Sequence, residues 1–191
     1  RNAGARKRSL LTHWLVQRLG ADHWEGDGII GKGKKGHLLT LVERSIGYGI
    51  VWDAGDRGAD KVVALLGELK QQHGNLFSEV FKSITFDNGP EFSAVDEIEN
   101  KGGLTAYYAH PYSSYERGTS ENWNGIVRRF IPKGMELTDL NPDILVRVNR
   151  YINQLPRKRF GYRTPEELFE EKLRDIINPA KHSVSVATCC T

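Results

Sequence analysis

Cysteine is nearly missing from this 191-residue chain, whose two copies, Cys189 and Cys190, stand side by side at its C-terminal end. Placed there they build neither a disulfide framework nor a Cys-x-x-Cys metal knuckle, so a disulfide-stapled miniprotein is excluded and zinc is not expected. No apolar run approaches the ~20 residues that cross a bilayer. The basic start (Arg1, Arg6, Lys7, Arg8) also lacks the apolar stretch of a secretory signal. The expectation is a cytoplasmic protein with no membrane partner. Charge of one sign is not in excess either: 27 Lys and Arg stand against 24 Asp and Glu, a net +3. What the chain does have is 39% hydrophobic residues, enough for one core that hides roughly 70% of the surface of the unfolded chain.

The positive residues are grouped, at Arg1 to Arg8, Lys32 to Lys35, Arg128, Arg129 and Lys133, and most densely at Arg157, Lys158, Arg159 and Arg163. The acids gather at Glu91 to Glu99 and Glu166 to Glu171. A face carrying several of the basic groups would hold a polyanion, although clustered charge is also what a solvated surface looks like.

Residues 1–23, with a short helical pattern at Leu10, Leu11, Trp14, Leu15 and Leu19, read as an upstream segment or linker. From Trp24 the pattern turns to three strands, 24–30, 37–44 and 48–54, an antiparallel meander. Ala59, Val62, Val63, Leu66 and Leu69 then recur at helical spacing within 58–73. A fourth strand over 82–86 ends in Asp87-Asn88-Gly89-Pro90, a short acidic helix is expected next, and a fifth strand covers 104–109. A helix begins near Thr119, capped by Thr119 or Ser120, with Trp123, Ile126, Val127 and Phe130 on its apolar stripe and Glu121, Gly125 and Arg128 opposite. Another starts at Pro142 behind Asn141. The last opens with the capping box Thr164-Pro165-Glu166-Glu167. Residues 24–178 thus read as one α/β domain, a five-stranded mixed sheet of three antiparallel strands and then two joined by helices, flanked by α-helices; 179–191 read as a tail.

Three acids occupy unusual positions. Asp27 lies in the first strand between two glycines, which are expected to leave its carboxylate unshielded. Asp87 ends the fourth strand, and Glu121 opens a helix away from its apolar stripe. Singly, Asp87 suits a turn and Glu121 suits the positive end of a helix. Asp27, an acid in an apolar-flanked strand, needs something to compensate it. If the first and fourth strands are neighbours, the three carboxylates converge, and like charges at that distance require a divalent cation. Oxygen donors select hard ions such as Mg²⁺ or Mn²⁺.

Gly31-Lys32-Gly33-Lys34-Lys35-Gly36 matches G-x-G-x-x-G, but the strand that follows it excludes a dinucleotide loop and leaves a basic hairpin. Lys32, Lys34 and Lys35 are there candidates for nucleic-acid backbone contact. The six histidines lack paired metal spacing. His110 is read as structural, and Ser113 and Ser114 have no activating base.

Trp24-Glu25-Gly26-Asp27, Ile84-Thr85-Phe86-Asp87-Asn88-Gly89, His110-Pro111-Tyr112-Ser113-Ser114, Arg117-Gly118-Thr119-Ser120-Glu121-Asn122 and the run from Pro156 to Pro165 together resemble the catalytic core of bacterial transposases of the insertion-sequence-thirty family, a branch of the retroviral-integrase-like superfamily. The resemblance covers residues 24 to 170. It implies an RNase H-like fold and an Asp-Asp-Glu site of Asp27, Asp87 and Glu121, with 33 residues between the last two. It further implies two Mg²⁺ or Mn²⁺ ions serving DNA strand cleavage and transfer, double-stranded DNA as partner, and a homodimer or higher oligomer on it. Asn122, Arg128, Arg157, Lys158 and Arg159 are the further candidate DNA contacts. Ser120 and Trp123 depart from the family's usual Asn and Thr, and the helix-turn-helix regions that recognise transposon ends are not visible. An RNase H-like nuclease that only hydrolyses, or a noncatalytic DNA-binding remnant, are the alternatives.

Overall fold

The computed structural model describes residues 23–56, 58–95, 104–109 and 118–178. The helical pattern at 10–19, most of the acidic stretch after Pro90, the run from His110 to Arg117 and the tail from 179 lie outside the described residues.

Three strands come first, β1 (His23–Ile30), β2 (His37–Glu43) and β3 (Gly49–Gly55). They are followed by helix α1 (Ala59–His73), a short helix α2 (Phe77–Val80) and strand β4 (Ser83–Phe86). Strand β5 (Thr105–Tyr108) and helices α3 (Gly118–Phe130), α4 (Pro142–Asn153) and α5 (Pro165–Ile177) complete the described chain. The sheet order is β3-β2-β1-β4-β5. β1 pairs antiparallel with β2 and β2 with β3, whereas β1–β4 and β4–β5 are parallel. The meander and the two later strands of the sequence reading are therefore one mixed sheet, with β1 at its centre.

Both faces are covered, and for that reason β2 is buried along its whole length. One face sets Trp24, Leu39, Leu41, Ile84 and Phe86 against α1 and against Phe169 of α5. There the Trp24 ring stacks on Phe81 at 4.5 Å and its Nε1 donates to the Val80 carbonyl at 2.9 Å, which ties α2 to the core. The other face sets Ile29, Leu38, Val42 and Val51 against Trp123, Ile126 and Val127 of α3 and Val148 and Ile152 of α4.

Local details add to the sequence reading. Helix α2 is not legible in the sequence, because a single four-residue turn shows no period. After Gly89 the described chain makes a 3-10 turn over Pro90–Phe92. Phe130 is only half-buried at the end of the α3 stripe, while Ser120 is fully buried on it. The Thr164 capping box forms as expected, with both reciprocal hydrogen bonds present.

The outer edge of β3 would expose unpaired backbone groups. Two asparagines one turn apart on α4 occupy it. Asn153 accepts from Gly49 N at 3.0 Å and donates to Gly49 O at 2.7 Å, and Asn149 does the same at Val51, at 2.9 and 3.1 Å. Removing the Asn153 amide takes away two hydrogen bonds and strands buried backbone groups. Asn153→Ala is expected to lower the unfolding free energy by about 2–3 kcal/mol in urea titration. Gln154→Ala, on the exposed residue that follows α4, is the control and should shift it by less than about 0.5 kcal/mol.

Candidate active site

Successive residues of a strand point to opposite faces, and β1 uses both. Trp24, Gly26 and Gly28 face α1. A side chain on Gly26 would strike the Phe86 ring, and one on Gly28 would come 2.6 Å from His37 Nε2 and 3.1 Å from Glu91 Oε1. The two glycines flanking Asp27 are thus demanded by the packing behind the strand. They do not serve to unshield its carboxylate, because they point the other way. Glu25, Asp27 and Ile29 face α3 and α4.

Helix α3 docks on this second face through contacts that follow β1 in order. Ser120 N donates to Glu25 Oε2 at 2.7 Å, Asn124 Nδ2 to Asp27 Oδ2 at 2.7 Å, and Arg128 to the Ile30 carbonyl at 3.4 Å. The helix therefore runs alongside the strand in the same direction. Glu25 is fully buried and its other oxygen lies 3.1 Å from Arg44 Nε. Burial pushes its carboxyl up from the ordinary 4.5, opposed by the Ser120 N–H, by Arg44, and by the Ser120 and Thr119 hydroxyls. The N-terminal end of α3 is met by this strand carboxylate, and the two hydroxyls expected to cap it turn toward Glu25 as well.

Asp27 also accepts from its neighbour Gly28 N at 3.0 Å. The parallel ladder between β1 and β4 runs to Gly26 opposite Phe86, so the next residue on each strand is an aspartate. The neighbouring strands required by the sequence argument are present. Asp87 Oδ1 accepts from Gly89 N at 2.8 Å, and Asn88 Nδ2 donates to Ala109 O at 2.7 Å, which anchors this turn to the end of β5. Glu121 is exposed on α3, one turn ahead of Asn124 and on the flank that Asn124 turns toward Asp27. In kind the donor set suits a hard dication: carboxylate oxygens, with two of the acids at adjoining strand ends. Among the described residues, however, no three His, Cys, Asp or Glu side chains are gathered closely enough to hold a metal ion. Glu121 stands apart in solvent.

The candidate basic contacts fall at the two ends of α3. Lys32, Lys34 and Lys35 are exposed in a hairpin turn after β1, beyond which Arg128 reaches Ile30, and Lys32 Nζ lies 4.0 Å from Glu136. At the other end an open groove of about 430 Å³ is lined by Gly47, Gly118, Thr119, Asn122 and the run from Arg157 to Arg159. Arg159 donates to the Ser45 carbonyl at 3.1 Å and lies over the Phe160 ring at 4.4 Å. Burial, and then the positive charge of Arg159, hold the Arg157 guanidinium below its usual value. Among the described residues no carboxylate pairs with Arg157, Lys158 or Arg159.

Over 149 residues the chain is 42% identical to the probable transposase for insertion-like sequence element IS1161 of Streptococcus salivarius, covering 77% of this chain and 41% of that protein. It is 35% identical over 164 residues to the transposase for insertion sequence element IS4351 of Bacteroides fragilis, covering 86% and 47%. Against transposase InsI for insertion sequence element IS30A of Escherichia coli the identity is 36% over 156 residues, covering 82% and 40%. The chain is a relative of insertion-sequence transposases. It spans less than half the length of these relatives. No family model matches it. In fold, this transposase relative superposes on the catalytic core domain of BIV integrase with a TM-score of 0.56 at 20% identity, covering 81% of this chain and 97% of that one. A chain of the simian T-cell lymphotropic virus intasome gives 0.56 at 19%, covering 72% and 50%. The RNase H-like fold expected from the sequence is the fold found.

Glu25 and Asn124 are contact residues of the site that the sequence reading does not name. Their signals are available: Glu25 shares the face of Asp27 by strand alternation, and Asn124 shares the flank of Glu121 at i+3. Removing the buried carboxylate leaves Arg44 and the first turn of α3 without it. Glu25→Ala is expected to cost about 3 kcal/mol of stability by chemical denaturation, and an unchanged midpoint would mean that the helix start does not depend on it.

Proposed function

We propose that this chain is the catalytic domain of a DNA transposase that cuts and joins DNA strands at the ends of an insertion sequence, with Asp27, Asp87 and Glu121 as its metal-holding acids. The similarity to named transposases supports the substrate class. The observation that carries the site is the parallel register of β1 and β4, which ends at Gly26 opposite Phe86, so that Asp27 and Asp87 are the next residues of adjoining strands.

In this reading Asp27, Asp87 and Glu121 would together hold two Mg²⁺ or Mn²⁺ ions. The chemistry a bound hard cation supplies is acidification of an attacking water or 3′-hydroxyl and stabilisation of the departing 3′ oxygen. The protein's own part is orientation. Asn124 holds one oxygen of Asp27 toward α3, and the Gly28 N–H fixes the other. Asn122 lies beside Glu121 at the mouth of the basic groove, where Arg157, Lys158 and Arg159 meet backbone phosphates; Lys32, Lys34, Lys35 and Arg128 serve the other end of α3. Such contacts set the register of the duplex without reading its bases. Phosphodiester exchange forms one ester bond as it breaks another, so joining needs no nucleotide cofactor. The working species is a dimer or larger assembly on DNA.

Asp27→Asn should keep the far-ultraviolet circular-dichroism spectrum while lowering Mn²⁺-dependent cleavage of a labelled transposon-end duplex by about a thousandfold; cleavage at the parental rate would refute the assignment. Joined products longer than the substrate are expected from the parental protein, and their absence under conditions that give cleavage would point to a nuclease that only hydrolyses. Replacing Arg157, Lys158 and Arg159 together by Ala should flatten the salt dependence of duplex binding by about 0.9 in log–log slope for each phosphate no longer neutralised, and an unaltered slope would remove the groove from the DNA path.

A further inference from the structure

Behind the two aspartates, on the opposite face of the sheet, lies a second pair of buried ionisable side chains that the proposed chemistry does not use. His37 is fully buried at the start of β2, and Glu91, in the turn after Asp87, is 4% exposed. The space a side chain on Gly28 would take is shared by His37 Nε2 and Glu91 Oε1. The other oxygen of Glu91 is turned the opposite way. A side chain on Gly89 would find Glu91 Oε2 at 2.6 Å and Asp87 Oδ1 at 2.8 Å. The carboxylates of Glu91 and Asp87 are therefore neighbours across Gly89, where only a residue without a side chain fits.

Burying a carboxylate is unfavourable, and a position for Glu91 on the surface would avoid that cost. Its seat gives it a role instead. Asp87 Oδ1 is already held in the turn by Gly89 N, so the negative charge of Glu91 beside it opposes rotation of the other Asp87 oxygen into the same place, and adds to the field that draws a cation to the Asp27–Asp87 corner. His37 Nε2 and Glu91 Oε1 both sit against Gly28, the residue after Asp27. The turn is fixed on its other side as well, where Tyr108 Oη donates to the Phe92 carbonyl at 2.9 Å and Asn88 to Ala109.

We infer that Glu91 is a positioning residue for the cation site: with Asp87 Oδ1 fixed by Gly89 N, its charge and its seat between Gly28 and Gly89 direct the second Asp87 oxygen toward the side of Asp27. This rests on the reading of Asp27 and Asp87 as cation ligands. Groups supporting metal ligands from behind affect affinity by about 10- to 100-fold.

The test is calorimetric titration of Mn²⁺ into the full chain and its variants without DNA, with thermal unfolding in the absence of metal as the measure of folding. Glu91→Gln, nearly equal in shape, removes the charge and should weaken Mn²⁺ binding at least about tenfold with the unfolding temperature little changed. Glu91→Asp keeps a charge in the turn and should stay within about threefold of the parental affinity; it also serves if the Gln variant does not fold. Affinity unaltered in Glu91→Gln, while Asp27→Asn loses saturable binding, would overturn the inference and leave the carboxylate site standing. Full affinity in Asp27→Asn would sink that site, and the inference with it. Binding lost in Glu91→Gln as completely as in Asp27→Asn would make Glu91 a ligand instead. Glu91→Asp binding as weakly as Glu91→Gln would show that its charge is not what acts; either result overturns the positioning role.

Discussion

A carboxylate with no solvent contact meets the first turn of a helix: Glu25 accepts from Ser120 N while its second oxygen lies against Arg44. Burying an acid is unfavourable, and its raised pKa reflects that. The cost is offset because the positive end of α3, an arginine and two hydroxyls converge on it. This one contact fixes where along β1 the helix begins. With a rise of about 1.5 Å per residue against about 3.3 Å for the strand, the next turns of α3 fall where Asn124 meets Asp27 and Arg128 meets Ile30. Glu121, one residue beyond Ser120, receives its place on the near flank from the same anchor.

The strand beneath is built for two incompatible environments. Toward α3 it presents Glu25 and Asp27, and toward α1 it presents Trp24 and two glycines. The glycines let the Phe86 ring and the His37–Glu91 pair come close to the backbone, so the sheet remains packed at its centre directly behind a polar corner. Rigidity where Asp27 and Asp87 emerge thus comes from the apolar face, and chemistry is left to the other.

Most of the architecture is legible in the sequence because long periodic elements carry their own signal. The three-strand meander, α1, α3, α4 and the capping box of α5 all rest on alternation, helical spacing or cap chemistry. The adjacency of β1 and β4 is a condition that no local pattern supplies, since parallel pairing across some sixty residues depends on tertiary packing. Helix α2 is too short to show a period, and its residues Phe77 and Val80 declare themselves only by packing under Trp24. Among the candidate site residues Asp27 stands out as a charge in an apolar-flanked strand, and Asp87 and Glu121 gain weight only beside it, whereas Glu25 and Glu91 look like ordinary surface acids. Only burial separates them from that class, and burial is a property of the fold.

The distribution of positive charge follows from the same frame. A 13-residue helix is about 20 Å long, the length of about six base pairs of duplex. The basic groove lies at its N-terminal end and the Lys32–Lys35 hairpin at its C-terminal end, with Glu121, Asp27 and Asp87 near the first half of the span. On the proposed function the acids repel a polyanion, so a duplex approaching this face would be held by the flanks and would depend on cations in the middle. Burial first, and then the positive charge of Arg159, hold the Arg157 guanidinium below its usual value, and among the described residues no carboxylate pairs with either arginine. On the proposed function the basic groove and the acidic corner are complementary: binding to the flanks would not require metal, whereas close approach of a phosphodiester to Asp27 and Asp87 would.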